Sequence, residues 1–416
     1  MLKKIYLLKI YVMFFCLSVC FFTNALAKDM SFQNYNALYT YIDNIFGNIK
    51  QNRLNKIKDN YILFDCLYDA EAENIDAYSL FLKMKEKGLN AYYILHKDSN
   101  LYNKINDIKY SDSIIAISHS TKKNPIDFIN AIKDVIPNTK SVITSFGTES
   151  VVDYHLNSIN DLEYIFIQHG QIFLKESVFD SGYINPNKFD KILTSSDFEV
   201  DLLKKHGWKD EQLLKFGLPR WDLLDNTQNE KSIFIMFTWR QISPSIFAKS
   251  LYFKRLSSLL NNKELHSFTE KNNVKIYFAP HHAMKTNSNI NLAIKHPNIK
   301  MVETHEISKY IKKSSILLTD LSSVAFDFMF QNKPVILYGL DKGDIWLNKA
   351  QHRDLELLNI KKDVFPNIFF NEQEVIEKLK YYINNNFKIE PQLITMYDKF
   401  FFTRENIRDK IIDSIK

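Results

Sequence analysis

SKYIKKSSILLTDLSSVAFDFMFQNKPVILYGLD, residues Ser308–Asp341, decides how this chain folds. Ile316–Leu318 is short and wholly apolar, as a strand buried on both faces is, and Val335–Tyr338 behind Pro334 reads as its parallel neighbour. Between them, Thr319-Asp320-Leu321-Ser322-Ser323 ends the first strand and opens an apolar helix. The unit is therefore β-α-β, with a polar turn at a strand's carboxyl end. Unpaired N–H groups at a helix start carry the positive end of its dipole, so Ser322 and Ser323 can offer amides and hydroxyls to a phosphate. An equally simple reading makes Ser322 a helix N-cap and nothing more.

The alternation extends in both directions. After a polar helical lead over Ser31–Lys58, YILFDC (Tyr61–Cys66) reads as a buried strand. An amphipathic helix follows over Asn74–Lys87, with Ile75, Leu80, Phe81 and Met84 at helical spacing and Gly88 as the stop. Ala91–Leu95, Ser113–Ser118, Ser141–Ser145, Tyr164–Gln168 and Lys191–Thr194 give further strands, with helices over Pro125–Val135 and Asp197–His206. The polar stretch Asp225–Lys231 is the best linker. Beyond it, Ser232–Thr238, Val274–Ala279, Ile299–Val302, Ile316–Leu318 and Val335–Tyr338 make a second series, closed by helices over Glu372–Asn385 and Gln392–Ile415. Two doubly wound α/β domains in tandem are expected, 28–226 and 227–416, with a ligand cleft between the carboxyl ends of their strands.

The length of 416 residues suits two cores better than one. With 45% hydrophobic and 25% charged residues, the chain is globular without extended disorder. A formal charge of +6, with no long basic tract, fits anionic ligands or a membrane surface and gives no reason to expect a nucleic-acid partner. Residues 1–27 stand apart: Lys3 and Lys4 precede an apolar stretch from Ile10 to Phe22 and then Ala25-Leu26-Ala27, the layout of a secretory signal peptide. That stretch is short for a membrane-spanning helix. Cys16 and Cys20 lie inside it, so Cys66 is the body's one cysteine and no disulfide framework is available.

Several constellations sit where strands end. His169, followed by Gly170 in the loop after Tyr164–Gln168, is placed either as a general base toward the cleft or as an ordinary hydrogen-bonded loop histidine. Gly217-Leu218-Pro219-Arg220-Trp221-Asp222 sets Arg220 and Asp222 close enough to pair with each other. In Phe237-Thr238-Trp239-Arg240, Arg240 is suited to fork onto a diphosphate, and Trp239 either stacks on a base or packs as core. His281 and His282 are adjacent in extended backbone, so their side chains diverge and at most one meets a ligand. The same divergence, with no third ligand near, argues against a metal.

Taken in order, FIQHGQ, LTSSDFEVDLLKKHGW, KFGLPRWDLL, FTWRQ, FAPHHAM and LLTDLSSVAFDFMFQNKPVILYGLD resemble the motif series of the CDP-glycerol glycerophosphotransferases, the teichoic-acid polymerase and primase family. The resemblance covers about Asn60 to Asp341. It implies a GT-B arrangement of two facing Rossmann-like domains. It also implies an EC 2.7.8-type transfer of a polyol phosphate from a CDP-activated donor to a hydroxyl of a lipid-linked or polysaccharide acceptor, with loss of CMP and no cofactor. On this resemblance His169 matches the base and His281 the second motif histidine, which steadies the donor's phosphates. Arg240, Thr319, Ser322 and Ser323 match donor-phosphate positions, accompanied by Asp320. Gly170, Arg220, Asp222, Thr238 and Trp239 support them. Leu321 stands where the family often has Tyr, Phe237 and His282 where it has Pro, and Gln171-Ile172-Phe173-Leu174-Lys175 departs from the commoner T-P-L-K.

The donor implied by the resemblance is cytoplasmic, so residues 1–27 are expected to hold the protein at the cytoplasmic face of the membrane. Taken at face value, the signal instead makes an exported two-domain solute-binding protein. A GT-B sugar transferase or epimerase with another nucleotide donor is the third reading.

Overall fold

The computed structural model describes residues 32–66, 75–99, 101–103, 109–118, 124–147, 150–174, 184–224, 229–238, 240, 244–280, 294, 296–344 and 367–416. Short apolar runs form the first sheet: β1 (Asn60–Phe64), β2 (Asn90–His96), β3 (Ile114–Ile117), β4 (Thr139–Thr144), β5 (Glu163–Phe166), β6 (Lys191–Thr194) and β7 (Leu213–Lys215). Their order is β3-β2-β1-β4-β5-β6-β7, and every pairing is parallel. The second sheet holds β8 (Glu230–Ile235), β9 (Lys275–Phe278), β10 (Ile299–Met301), β11 (Ser314–Thr319), β12 (Val335–Tyr338) and β13 (Ile368–Phe369). Its order, β10-β9-β8-β11-β12-β13, repeats the same winding, again all parallel. The opening stretch behaves as its pattern requires, with Leu317 opposite Val335 and Thr319 opposite Leu337.

Each sheet reverses direction of winding beside its first strand, between β1 and β4 and between β8 and β11. A crevice opens outside the carboxyl ends at such a reversal, because neighbouring connections leave to opposite faces. Both crevices are occupied by polar residues in this chain, and they frame the site. One apolar cluster joins the two halves, running from Leu63, Ile143 and Leu193 through Trp221 to Phe234, Leu317 and Phe328. Trp221 lies at its centre, stacked on Phe330 at 5.0 Å.

Two strands, β7 and β13, were not expected from sequence; at three and two residues they are too short to show a period. The expected closing helix over Gln392–Ile415 is two helices, Pro391–Asp398 and Ile407–Ile415. Asn406 between them has φ 55°, a left-handed conformation that no right-handed helix continues through. The last helix returns to the first half of the molecule: Ile407, Ile411, Ile412 and Ile415 join the shared cluster, and Lys83 and Lys87 pair with Asp409 at 3.2 and 2.6 Å.

Its start corrects the expected pairing of Arg220 with Asp222. The Asp222 carboxylate instead accepts the N–H groups of Ile407 and Arg408, both at 2.9 Å, and Arg408 Nε at 3.2 Å. A helix start left without a local cap is thus capped by a residue 185 positions earlier in the chain. No helix among the described residues is long and apolar enough to cross a membrane, and residues 1–27 lie outside them.

Asp222→Ala removes this cap and the Arg408 partner together. We expect a loss of about 1–2 kcal/mol, read as a lower urea midpoint, with faster proteolysis near the C-terminus. A midpoint equal to that of the unaltered protein would contradict the capping role.

Candidate active site

The first wall of the site follows β5. Ile167 N–H bonds Thr144 O at 2.8 Å, continuing the sheet by one residue, and Gln168 then turns the chain with φ 59°. A non-glycine residue in that region carries strain, which buried contacts must hold in place. Here the fully buried Gln168 amide donates to Leu193 O. The turn delivers His169 to the end of β4, where its ring stacks on Phe146 at 4.1 Å and its Nδ1 lies 3.3 Å from Ser145 O. A carbonyl can only accept, so this contact calls for the proton on Nδ1, and in the neutral ring that is the tautomer a general base needs.

The second wall follows β11. The Thr319 hydroxyl donates to Met236 O, and Asp320 Oδ1 accepts Thr238 N–H at 2.8 Å, so the ends of β8 and β11 are laced together at their crevice. Ser322 Oγ accepts Val324 N–H at 3.4 Å, a local bond at the start of the Val324–Phe330 helix. Ser323 packs against Gly170 so closely that a Cβ on residue 170 would sit 2.3 Å from Ser323 Oγ and 2.7 Å from its Cβ. Glycine at 170 is therefore what lets the two walls meet. Between them lies a cavity of about 230 Å³, whose lining includes Phe146, His169, Arg220, Ser322, Ser323 and Lys312.

The two arginines do something other than the sequence suggests. Arg220 spans the halves: Nη1 donates to Asp76 Oδ2 at 2.5 Å, Nε and Nη2 fork onto Asp327 at 3.1 Å each, and Nη1 also reaches His169 O at 3.3 Å. Burial opposes its charge, yet the Asp327 and Asp76 carboxylates outweigh burial and hold its pKa above the ordinary arginine value. Burial pushes the Asp76 carboxyl up, with Arg220 opposing. Arg240 is fully buried, its Nε 3.0 Å from Asp341 and its Nη2 2.9 Å from Asp320. Its Nη1 donates to Thr238 O at 2.9 Å, and Tyr252 lies under its guanidinium at 4.8 Å. Arg240 therefore braces the crevice of the second sheet rather than presenting a fork to open space. Trp239, His281 and His282 lie outside the described residues. Among the described residues, no three His, Cys, Asp or Glu are grouped to hold a metal ion.

Asp65 was overlooked in the sequence because it reads as the polar end of a strand. Its buried carboxylate accepts the N–H groups of Ala77 and Tyr78 and the hydroxyls of Tyr93 and Ser145. Ser145 is the residue whose carbonyl meets His169, so Asp65 anchors the support of the histidine. Burial, opposed by the Ser145 hydroxyl, pushes its carboxyl up to about 7. The signal was an Asp at the carboxyl end of the strand where the winding reverses.

Two facing, doubly wound parallel sheets with polar residues gathered at both reversal points define a GT-B-like protein. Solved structures with this fold include the wall teichoic acid polymerase TagF, with a TM-score of 0.58 at 16% identity over 92% of this chain and 94% of that one. The UDP-GlcNAc 2-epimerase from Methanocaldococcus jannaschii has a TM-score of 0.53 at 11% identity over 86% and 99% of the two chains. Residues 48–416 match the CDP-Glycerol:Poly(glycerophosphate) glycerophosphotransferases, and the chain belongs to that family. The minor teichoic acid biosynthesis protein GgaB of Bacillus subtilis (strain 168) is 29% identical over 83% of this chain and 38% of its own length. The teichoic acid glycerol-phosphate primase of the same strain is 26% identical over 53% of this chain and 60% of its own. The chain thus spans less than two thirds of either relative.

Gly170→Ala should force the walls apart and lower the thermal midpoint, and adding Ser323→Gly should restore part of the loss. Independent, additive losses would show that the two residues do not meet. Asp65 predicts a pH effect. A carboxyl raised from 3.8 to about 7 in the folded state binds its proton more tightly there than when unfolded. This group's contribution therefore falls as pH rises from about 4 to about 7. Asp65→Asn should show a smaller loss of urea midpoint than the unaltered protein between about pH 5 and about pH 8. Parallel pH profiles would contradict the assignment.

Proposed function

We propose that the chain transfers a polyol phosphate from a CDP-linked donor, CDP-glycerol or a close analogue, to a hydroxyl of a cell-surface polymer or lipid-linked acceptor. The observation that carries this reading is the His169 ring, held through Nδ1 and lining the same cavity as Ser322 and Ser323. Family membership supports the donor class.

In this reaction the acceptor hydroxyl attacks the phosphorus that bears the polyol. His169 Nε2 takes the hydroxyl proton as the new P–O bond forms. The bond from that phosphorus to the bridging oxygen breaks, and the oxygen leaves with CMP. Little covalent chemistry falls to the protein, so most of the rate comes from positioning and from stabilising charge on the phosphoryl oxygens. Asp65, Ser145 and Phe146 orient the base; Arg240, Asp320 and Thr319 brace the backbone from which Ser322 and Ser323 face the donor. His281 joins them as the histidine that steadies the donor's phosphates. Residues 28–226 then make the acceptor side and 227–416 the donor side. The cytoplasmic face of the membrane is where the chain acts, since a lipid-linked acceptor and a cytoplasmic nucleotide meet there. An exported solute-binding clamshell needs no base held in this way, and a transferase family does not favour it.

The test is turnover of a panel of CDP- and UDP-linked donors by the purified protein and by His169→Ala. Release of CMP from a CDP-polyol, falling about a hundredfold or more in His169→Ala with CDP binding largely kept, is expected. Near-normal CMP release by His169→Ala in the presence of a competent acceptor would remove the base assignment.

A further inference from the structure

A nucleoside diphosphate brings several negative charges into the cleft, and a cation beside them offsets much of the cost of burying them. Neither arginine has charge to spare: Arg220 is shared between Asp76 and Asp327, and Arg240 between Asp320 and Asp341. Among the described residues that line the cavity, a further cation has to be sought on another element.

The Ile307–Lys313 helix and the turn before it offer one. Thr304, Ile307, Ser308, Ile311 and Lys312 recur at spacings of three and four, so they share one helical face, and all five line the 230 Å³ cavity. The helix buries Ile311 on this face and leaves Thr304, Ser308 and Lys312 as its polar stripe.

Lys312 differs from every lysine near it. Lys309 is 65% exposed and lies 3.9 Å from Glu306. Lys313 is engaged by Glu230 at 2.8 Å and sits over the rings of Tyr277 and Tyr310, at 4.4 Å from each. Lys333 is buried and points at backbone carbonyls. Lys312 is half-buried and has no carboxylate partner among the described residues.

The helix that carries it is also bonded to the segment that follows the serine turn's own helix. Gln331 Nε2 donates to Ile311 O at 3.2 Å, and Lys333 Nζ to the carbonyls of Ile311 and Lys312. Both anchors directly follow the Val324–Phe330 helix, which begins at Ser323. One helix thus has the Ser322-Ser323 turn at its start and the anchors of the Lys312 segment at its end. At this half-buried position a lysine's charge acts on a phosphate with less screening than at the open surface.

The geometry points to Lys312 as the cation that holds the diphosphate of the nucleotide donor, with the Thr304 and Ser308 hydroxyls beside it. This assignment rests on the donor reading proposed above. Because the lysine grips phosphates already present in the ground state, its loss falls on affinity more than on turnover.

The experiment uses the full chain, CDP and CMP as calorimetric probes, and CDP-glycerol turnover in parallel. Lys312→Ala should weaken CDP about tenfold and CMP less than about threefold, since CMP lacks the second phosphate, and should raise the donor KM with kcat nearly kept. Lys312→Arg should recover most of the affinity, and Lys309→Ala on the same helix should bind as the unaltered protein does. Equal CDP affinity in Lys312→Ala and the unaltered protein would overturn the assignment and leave the donor reading standing. An unaltered protein that neither binds CDP nor turns over CDP-glycerol would overturn both.

Discussion

Arg220 is the interaction on which the rest of the site depends. Its guanidinium lies between Asp76, at the start of a helix in the first half, and Asp327, inside a helix of the second. Asp327 also accepts Trp221 Nε1 at 2.8 Å, and Arg220 N–H donates to Asp76 Oδ1 at 3.1 Å. Such a buried cluster adds little net stability, because desolvation offsets the attraction, but removing one member costs about 3–5 kcal/mol by stranding the others. What it supplies is register. It fixes the distance between the two halves, and through the bond from Nη1 to His169 O it fixes the loop that carries the histidine.

The second buried arginine performs the corresponding task within one half. Arg240 ties the chain after β8 to Asp320 after β11 and to Asp341 after β12. Strands in a parallel sheet pair along their lengths but diverge where their connections leave, so a crevice floor needs its own braces. Asp65 with Ser145 braces the first sheet in the same place, between β1 and β4. Both floors are thus built from charged or hydroxyl groups held by one another and by the strand ends.

Much of this architecture was legible in the sequence. Runs such as Ile316–Leu318 and Val335–Tyr338 are apolar on both faces, which only a covered parallel sheet accommodates, and the loops after them had to carry the polar chemistry. His169, Gly170, Ser322 and Ser323 stand out this way, and the structure brings His169, Ser322 and Ser323 around one cavity with Gly170 against Ser323. What could not be read were pairings between distant positions. Asp76 and Asp327 lie 144 and 107 residues from Arg220, so the nearby Asp222 looked the better partner. Residue type alone does not separate an arginine that binds phosphate from one that braces a loop; burial and partners do. Asp222 itself caps the last helix, whose return to the first half leaves no local trace.

We propose that the donor lies where Gly170 and Ser323 bring the two walls together. A crystal structure of the protein with CDP-glycerol bound should show the diphosphate beside Ser322, Ser323 and Lys312, with the polyol-bearing phosphorus facing His169. A donor bound elsewhere, with His169 and the serine turn untouched by it, would rule this placement out.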